Sequence, residues 1–193
     1  EIVEAFAEYA EVCFKAFGDR VKLWVTINEP KYYAYCSNIV GNYPPNYKLD
    51  FDRYFKTLYH EALASAKAVA VYRKLHQDGR IGIVHDSSNV EVAPQTKHPQ
   101  RIRMIADLFY NKLILDCAIK GELPGALLPW LNENGIDTSY VRFEDALTLA
   151  EGKVDFLGLN VYNRFYITDY SEGETEVFHN NRGAGSAAKE GIR

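Results

Sequence analysis

The chain has 193 residues, of which 47% are hydrophobic, so it is long enough and apolar enough to bury a core. Its 22 basic and 26 acidic residues are interspersed and give a net charge of −4, which provides no basic surface for nucleic acid. No apolar stretch is long enough to span a membrane. The three cysteines lack metal-ligand spacing, and they predict small buried groups in a reducing, cytoplasmic protein without a metal site.

The first predicted elements are a helix and a buried strand. Apolar residues recur every three or four positions over 1–17, which predicts an amphipathic helix. The β-branched and aromatic residues that follow predict a strand over 22–26 in a parallel sheet. It ends near Asn28 and Glu29, where a barrel carboxylate can face a ligand and a neighbouring amide can bind a substrate hydroxyl. Glu29 is therefore the first catalytic candidate.

The middle of the chain continues with a loop, a helix and a second strand. The turn-rich segment 32–50 predicts a long loop that helps to wall the site. Helical spacing returns over 51–79, and 80–85 is the next predicted strand. His85 and Asp86 follow at its carboxyl end, but a structural role is favoured for this histidine, and both residues stay outside the predicted site.

The last third of the chain predicts two further helices and a third strand. The helices are predicted over 99–120 and 143–150, and the strand is centred on 155–159. Between the two helices, Glu133 is interpreted as a surface-loop residue because no apolar run places it at a strand end. The polar, glycine-rich segment 164–193 is predicted to be a mobile excursion rather than a second domain.

Three segments together resemble one known family. The run Thr26-Ile27-Asn28-Glu29-Pro30 and the segments 80–85 and 154–162 follow the order and spacing of family 1 glycoside hydrolases, the β-glucosidase and 6-phospho-β-glucosidase group. The resemblance implies a fold of the α/β class, a (β/α)8 TIM barrel, of which this chain holds strands four to six. We therefore expect a fragment with about three parallel strands and flanking helices, in which residues 1–193 are the central part of one catalytic domain.

The same resemblance implies a role for each matched residue. Glu29 is the general acid/base, and Asn28 binds the sugar 2-hydroxyl near the nucleophile. Asn160 and Tyr162 belong to the substrate site, and Tyr162 holds the nucleophilic carboxylate. That nucleophile lies on a seventh strand outside this chain, so we expect the chain alone to be inactive. No cofactor is implied.

The substrate and the class of protein stay open from the sequence. Many family members carry tryptophan after the Asn-Glu-Pro run, whereas this chain has Lys31, so β-glucosides and anionic 6-phospho-β-glucosides both remain candidate substrates. The expected partners are such a glycoside and the remaining segments of the parent barrel. One alternative is a catalytically incomplete β-glucosidase-like binding protein, against which the retained Glu29 counts. Another is an autonomous partial barrel, which would have to cover its open sheet edges.

Overall fold

The computed structural model describes residues 1–168, 178–181 and 190–191. The helices are α1 (Ile2–Phe17), α2 (Pro30–Tyr35), α3 (Phe51–Lys74), α4 (Pro99–Asp107), α5 (Leu113–Leu115), α6 (Leu127–Glu133) and α7 (Asp145–Glu151). The strands are β1 (Leu23–Asn28), β2 (Arg80–Val92), β3 (Phe156–Ile167), β4 (Phe178–Asn181) and β5 (Glu190–Gly191). The π-helical turns Cys36–Val40, Leu108–Lys112 and Asp116–Lys120 continue α2, α4 and α5 respectively. None of the helices in these ranges is long and apolar enough to cross a membrane.

The first three strands form a parallel sheet in chain order, as the sequence predicts. Leu23 of β1 pairs with Arg80 of β2, and Gly82 of β2 pairs with Phe156 of β3. Parallel strands need long crossover connections, and the helices between these strands supply them. The carboxyl ends of all three strands therefore lie at the same end of the sheet.

The structure corrects three expectations drawn from the sequence. Residues 32–40 of the predicted loop 32–50 are helical, because they belong to α2 and to the turn Cys36–Val40. Pro30 favours the start of this helix, since its ring fixes φ at the first helical position. Glu133 is the last residue of helix α6 rather than a loop residue, and it pairs with Arg101 at 3.3 Å. The segment 164–193 supplies the end of β3 and the antiparallel strands β4 and β5, while the rest of that segment lies outside the described residues.

Helices cover one face of the sheet. Side chains alternate along each strand, so every second residue of a strand points to this face. On β1, Trp24 and Thr26 point toward the helices. Phe14 of α1 packs edge-on against Trp24, with ring centroids 4.9 Å apart, and against Tyr72 of α3 at 5.1 Å. The Thr26 hydroxyl lies 2.7 Å from the hydroxyl of Ser65 on α3. These contacts fix α1 and α3 on the same side of β1.

The largest part of the core lies beneath helix α3. The Tyr54 ring stacks on Phe109 at 4.4 Å, and its hydroxyl donates to the Phe109 carbonyl at 2.6 Å. Cys36 and Cys117 are buried, as predicted, whereas Cys13 is only half-buried. Burial raises the pKa of the Cys117 thiol to about 12, so this thiol is chemically quiet.

The other face of the sheet carries apolar residues that the helices do not cover. Leu23 and Val25 of β1 point there and are 68% and 43% exposed. Two glycines let neighbouring strands pack closely on this face. A Cβ atom at Gly82 would lie 2.5 Å from the Phe156 ring, and one at Gly158 would lie 2.8 Å from Val84.

Candidate active site

Two register shifts interrupt the pairing of the parallel strands near the candidate site residues. Between Val25 and Asn28, β1 contains one residue more than the paired part of β2, so Asn28 pairs with Val84. A second shift lies between Ser87 and Asn89 of β2, where the paired part of β3 has one residue more, between Val161 and Arg164. Such bulges redirect side chains and are common next to active sites. Here the first one turns Asn28 to the same face as Val84.

Glu29 follows Asn28 in a conformation that is unfavourable for a glutamate. Its backbone lies in the left-handed region, with φ 54° and ψ 52°, which costs about 1–2 kcal/mol for an L-residue with a side chain. Two neighbours fix this geometry. The Glu29 N–H donates to the Val84 carbonyl of β2 at 2.8 Å, and Pro30 begins helix α2 directly afterwards. The strand end and the helix start thus meet at Glu29.

The Glu29 carboxylate contacts the middle of β3, which runs from Phe156 to Ile167. Asn160 donates from Nδ2 to Glu29 Oε1 at 2.5 Å and lies 3.4 Å from Asn28 Oδ1. Tyr162, also on β3, interacts with the same carboxylate, and this interaction with Glu29 is the main reason why the pKa of Tyr162 is raised. The structure therefore brings together Asn28, Glu29, Asn160 and Tyr162, which 131 or more positions of sequence separate across the two strands.

A buried ion pair lies beside these residues, and sequence reasoning missed it. Lys31 on the first turn of α2 pairs with Asp86 in the middle of β2 and donates to Ser88 Oγ at 3.1 Å. Lys31 and Asp86 are 6% and 4% exposed. Asp86 pairs in register with Asn160, so its side chain shares the face of the candidate site. Lys31, considered from the sequence for an anionic substrate, has its ammonium group occupied by Asp86.

His85, the neighbour of Asp86, points the opposite way into the helical layer. Its Nε2 lies 3.2 Å from Asn111 Oδ1. Asn111 Oδ1 also accepts from the Ser88 N–H while Nδ2 donates to the Ser88 carbonyl, so the amide orientation is fixed and His85 carries its proton on Nε2. Burial lowers the pKa of His85, so it is neutral at pH 7. His85 is therefore held in the helical layer by Asn111, whereas its Nδ1 is buried without a hydrogen-bond partner among the described residues.

Comparison with known proteins identifies the family. Residues 1–191 match Glycosyl hydrolase family 1. The chain belongs to this family. It is 35% identical over 186 residues to a 6-phospho-beta-galactosidase of Clostridium acetobutylicum, covering 94% of this chain and 39% of that relative. It is 37% identical over 164 residues to 6-phospho-beta-glucosidase GmuD of Bacillus subtilis, covering 84% and 34%.

Solved family 1 structures share the fold. A family 1 β-glucosidase from Thermotoga maritima in complex with isofagomine lactam is 34% identical with a TM-score of 0.75, over 87% of this chain and 37% of that one. A β-glucosidase from Exiguobacterium marinum superposes with a TM-score of 0.78 at 24% identity, over 94% and 41%. The chain is therefore a partial TIM barrel that spans less than half the length of these family 1 proteins.

Proposed function

We propose that this chain is the central part of the single TIM-barrel catalytic domain of a retaining β-glycosidase, with Glu29 as the general acid/base. The observation that carries the proposal is the hydrogen bond that Asn160, on a different strand, donates to the Glu29 carboxylate. Tyr162 of the same strand also interacts with this carboxylate, which raises the pKa of Tyr162. Glu29 directly follows the carboxyl end of β1, the end of a TIM barrel that holds active sites, and Asn160 reaches it from the middle of β3.

In this mechanism Glu29 acts twice. It first protonates the glycosidic oxygen of the leaving group while a second carboxylate, roughly 5–5.5 Å away, attacks the anomeric carbon and forms a glycosyl-enzyme. Glu29 then accepts a proton from the water that hydrolyses this intermediate. The nucleophile belongs to a segment outside residues 1–193. The Asn28 amide binds the sugar 2-hydroxyl, and Tyr162 comes to serve the nucleophile as well as Glu29.

The proposed substrates are β-glucosides or 6-phospho-β-glucosides. The relatives from Clostridium and Bacillus carry names for phosphorylated substrates, whereas a relative from Thermotoga neapolitana, 35% identical, is named 1,4-beta-D-glucan glucohydrolase. Lys31 does not favour a phosphorylated substrate, since Asp86 already occupies its charge. We also propose a cytoplasmic protein, which the three free cysteines support.

The test is Glu29→Gln in the complete protein that carries this chain. Poor leaving groups depend on protonation, so their hydrolysis should slow by about 10²–10⁴-fold, and activated aryl glycosides should lose much less in the first step. Added azide should restore turnover of the activated substrate, because azide attacks the glycosyl-enzyme without the general base that water requires. Glu133→Gln, which alters an exposed glutamate at the end of α6, is the matched control and should leave both rates unchanged.

Two results would contradict the proposal. Equal losses on both substrates without azide rescue would remove Glu29 from the acid/base role. Sugar binding without hydrolysis of any glycoside by the unaltered protein would favour the β-glucosidase-like binding protein instead.

A further inference from the structure

The buried pair of Lys31 and Asp86 has no part in the mechanism described above, yet it joins the two elements that meet at Glu29. Lys31 lies two residues after Glu29, on the first turn of α2, and Asp86 lies two residues after Val84, on β2. Val84 is the residue whose carbonyl accepts the Glu29 N–H. The ion pair therefore closes a short ring of contacts around the left-handed Glu29 backbone.

Other contacts hold the Lys31 side chain within this ring. Its ammonium group donates to Ser88 Oγ and lies 5.6 Å from the centre of the Tyr110 ring, within the range of a cation–π interaction. Asp86 Oδ1 is buried and has no hydrogen-bond partner within the described ranges, so Lys31 supplies the main compensation for its charge. A buried carboxylate with a single strong partner fixes the position of that partner.

The pair also connects to the side-chain contacts of Glu29. Asp86 is in register with Asn160, the residue that donates to Glu29 Oε1. The backbone of Glu29 is thus fixed from β2 and α2, and its carboxylate is fixed from β3. A left-handed glutamate persists only when its surroundings determine its geometry from several sides.

We propose that Lys31 and Asp86 are positioning residues that hold the Glu29 carboxyl group at the distance and angle needed for proton transfer. The inference rests on the proposed function. In this proposal Lys31, the lysine after the Asn-Glu-Pro run, positions Glu29 and does not bind an anionic substrate. General acid catalysis requires hydrogen-bond reach to the leaving oxygen, and a displacement of about 1 Å can cost on the order of 10²-fold in rate.

The experiment compares three variants of the complete protein: Lys31→Met, Asp86→Asn and the double variant. Each single variant leaves one buried charge without its partner and should lower the Tm. The double variant removes both charges and should recover much of the Tm. All three should slow poor leaving groups about tenfold or more and activated aryl glycosides much less, the pattern expected for Glu29→Gln.

Tyr59→Phe is the matched control. The Tyr59 hydroxyl donates to the buried Asp145 at 2.6 Å in the helical layer, so this change also removes a partner from a buried carboxylate. It should lower the Tm without changing the ratio of the two rates. A merely structural role of the Lys31 pair would produce the same result as this control.

The outcomes separate this inference from the proposed function. If Glu29→Gln shows the leaving-group pattern and the double variant keeps the rates of the unaltered protein on both substrates, the positioning role is overturned and the acid/base assignment stands. A change in KM alone for Asp86→Asn would also overturn it, since that marks a direct substrate contact. If Glu29→Gln lacks the pattern, both proposals fail.

Discussion

At the scale of single residues, two neighbours in the middle of β2 point to opposite faces of the sheet. His85 and Asp86 are adjacent, so strand alternation sends one into the helical layer and the other to the site face. The sequence predicts that the strand ends beside them, whereas β2 continues to Val92, and it does not say which of the two points to which face. His85 contacts the Asn111 amide in the helical layer, and the register of Asp86 with Asn160 places Asp86 on the face of the candidate site.

Asn160 offers a prediction about the Glu29 carboxylate. Asn160→Ala removes a hydrogen bond to a charged group, worth about 1.5–3 kcal/mol, so kcat/KM for a poor leaving group should fall about 10–100-fold. Asn160→Asp should lose more, because a second carboxylate then repels Glu29 at the same short distance. Asn134→Ala on the exposed end of α6 is the control and should match the unaltered protein. Smaller losses for Asn160→Asp than for Asn160→Ala would show that this amide does not hold Glu29.

Glu61 on α3 predicts a pH dependence of stability. The pKa of Glu61 is raised from the ordinary 4.5 to about 9, mainly by burial and to a smaller extent by the nearby charge of Asp86. Between these values the folded chain keeps a proton that the unfolded chain has released, so the free energy of unfolding falls as the pH rises. Glu61→Gln should remove this pH dependence, so the Tm of the variant should rise relative to that of the unaltered protein between pH 5 and pH 8. The expected difference is about 2–4 °C for each kcal/mol of unfolding free energy that the unaltered protein loses. Parallel Tm curves for variant and unaltered protein would contradict the assignment.

At the scale of elements, apolar patterns predict that a helix or strand exists, and in which order it comes, better than they predict its irregularities and contacts. The three strands and α1 were predictable because apolar residues recur with clear strand or helix periods. The bulge between Val25 and Asn28 was not, since one extra residue leaves no trace in composition. The contact of Lys31 with Asp86 was not predictable either, because it depends on how the first turn of α2 packs on β2.

The packing of α1 on β1 predicts different effects for two phenylalanines of the same helix. Phe14 is 4% exposed and contacts Trp24 and Tyr72, whereas Phe17 is 47% exposed. Phe14→Ala should lower the free energy of unfolding by about 3–5 kcal/mol through lost burial and a residual cavity. Phe17→Ala, the matched control, should cost well under half of that. Urea unfolding of both variants measures the difference, and equal costs would contradict the helix orientation described here.

At the scale of the whole molecule, strands that alternate with helical patterns predicted an α/β fold with a parallel sheet. Recognition of a barrel depended on the family motif, because three strands alone do not define how a sheet closes. Prediction of the candidate site residues Asn28, Glu29, Asn160 and Tyr162 also depended on the family motif. The uncovered face of the sheet, with Leu23 and Val25, is where the remaining barrel segments are proposed to lie.

This face gives a test in which one substitution should have opposite effects in two contexts. Leu23→Lys replaces a residue that is 68% exposed in this chain, so in isolated 1–193 it should reduce self-association, as measured by size-exclusion chromatography with light scattering. In the complete protein the same position should face the packed barrel interior, where an unpaired charge costs about 3 kcal/mol or more. The Tm of the complete protein should therefore fall sharply. Val12→Lys, at a position 66% exposed on α1, should change the stability of the complete protein by only about 0.5 kcal/mol, because helices form the outer surface of the barrel. Should Leu23→Lys leave the complete protein as stable as before, the face would remain open to solvent there, and the chain would be an autonomous partial barrel.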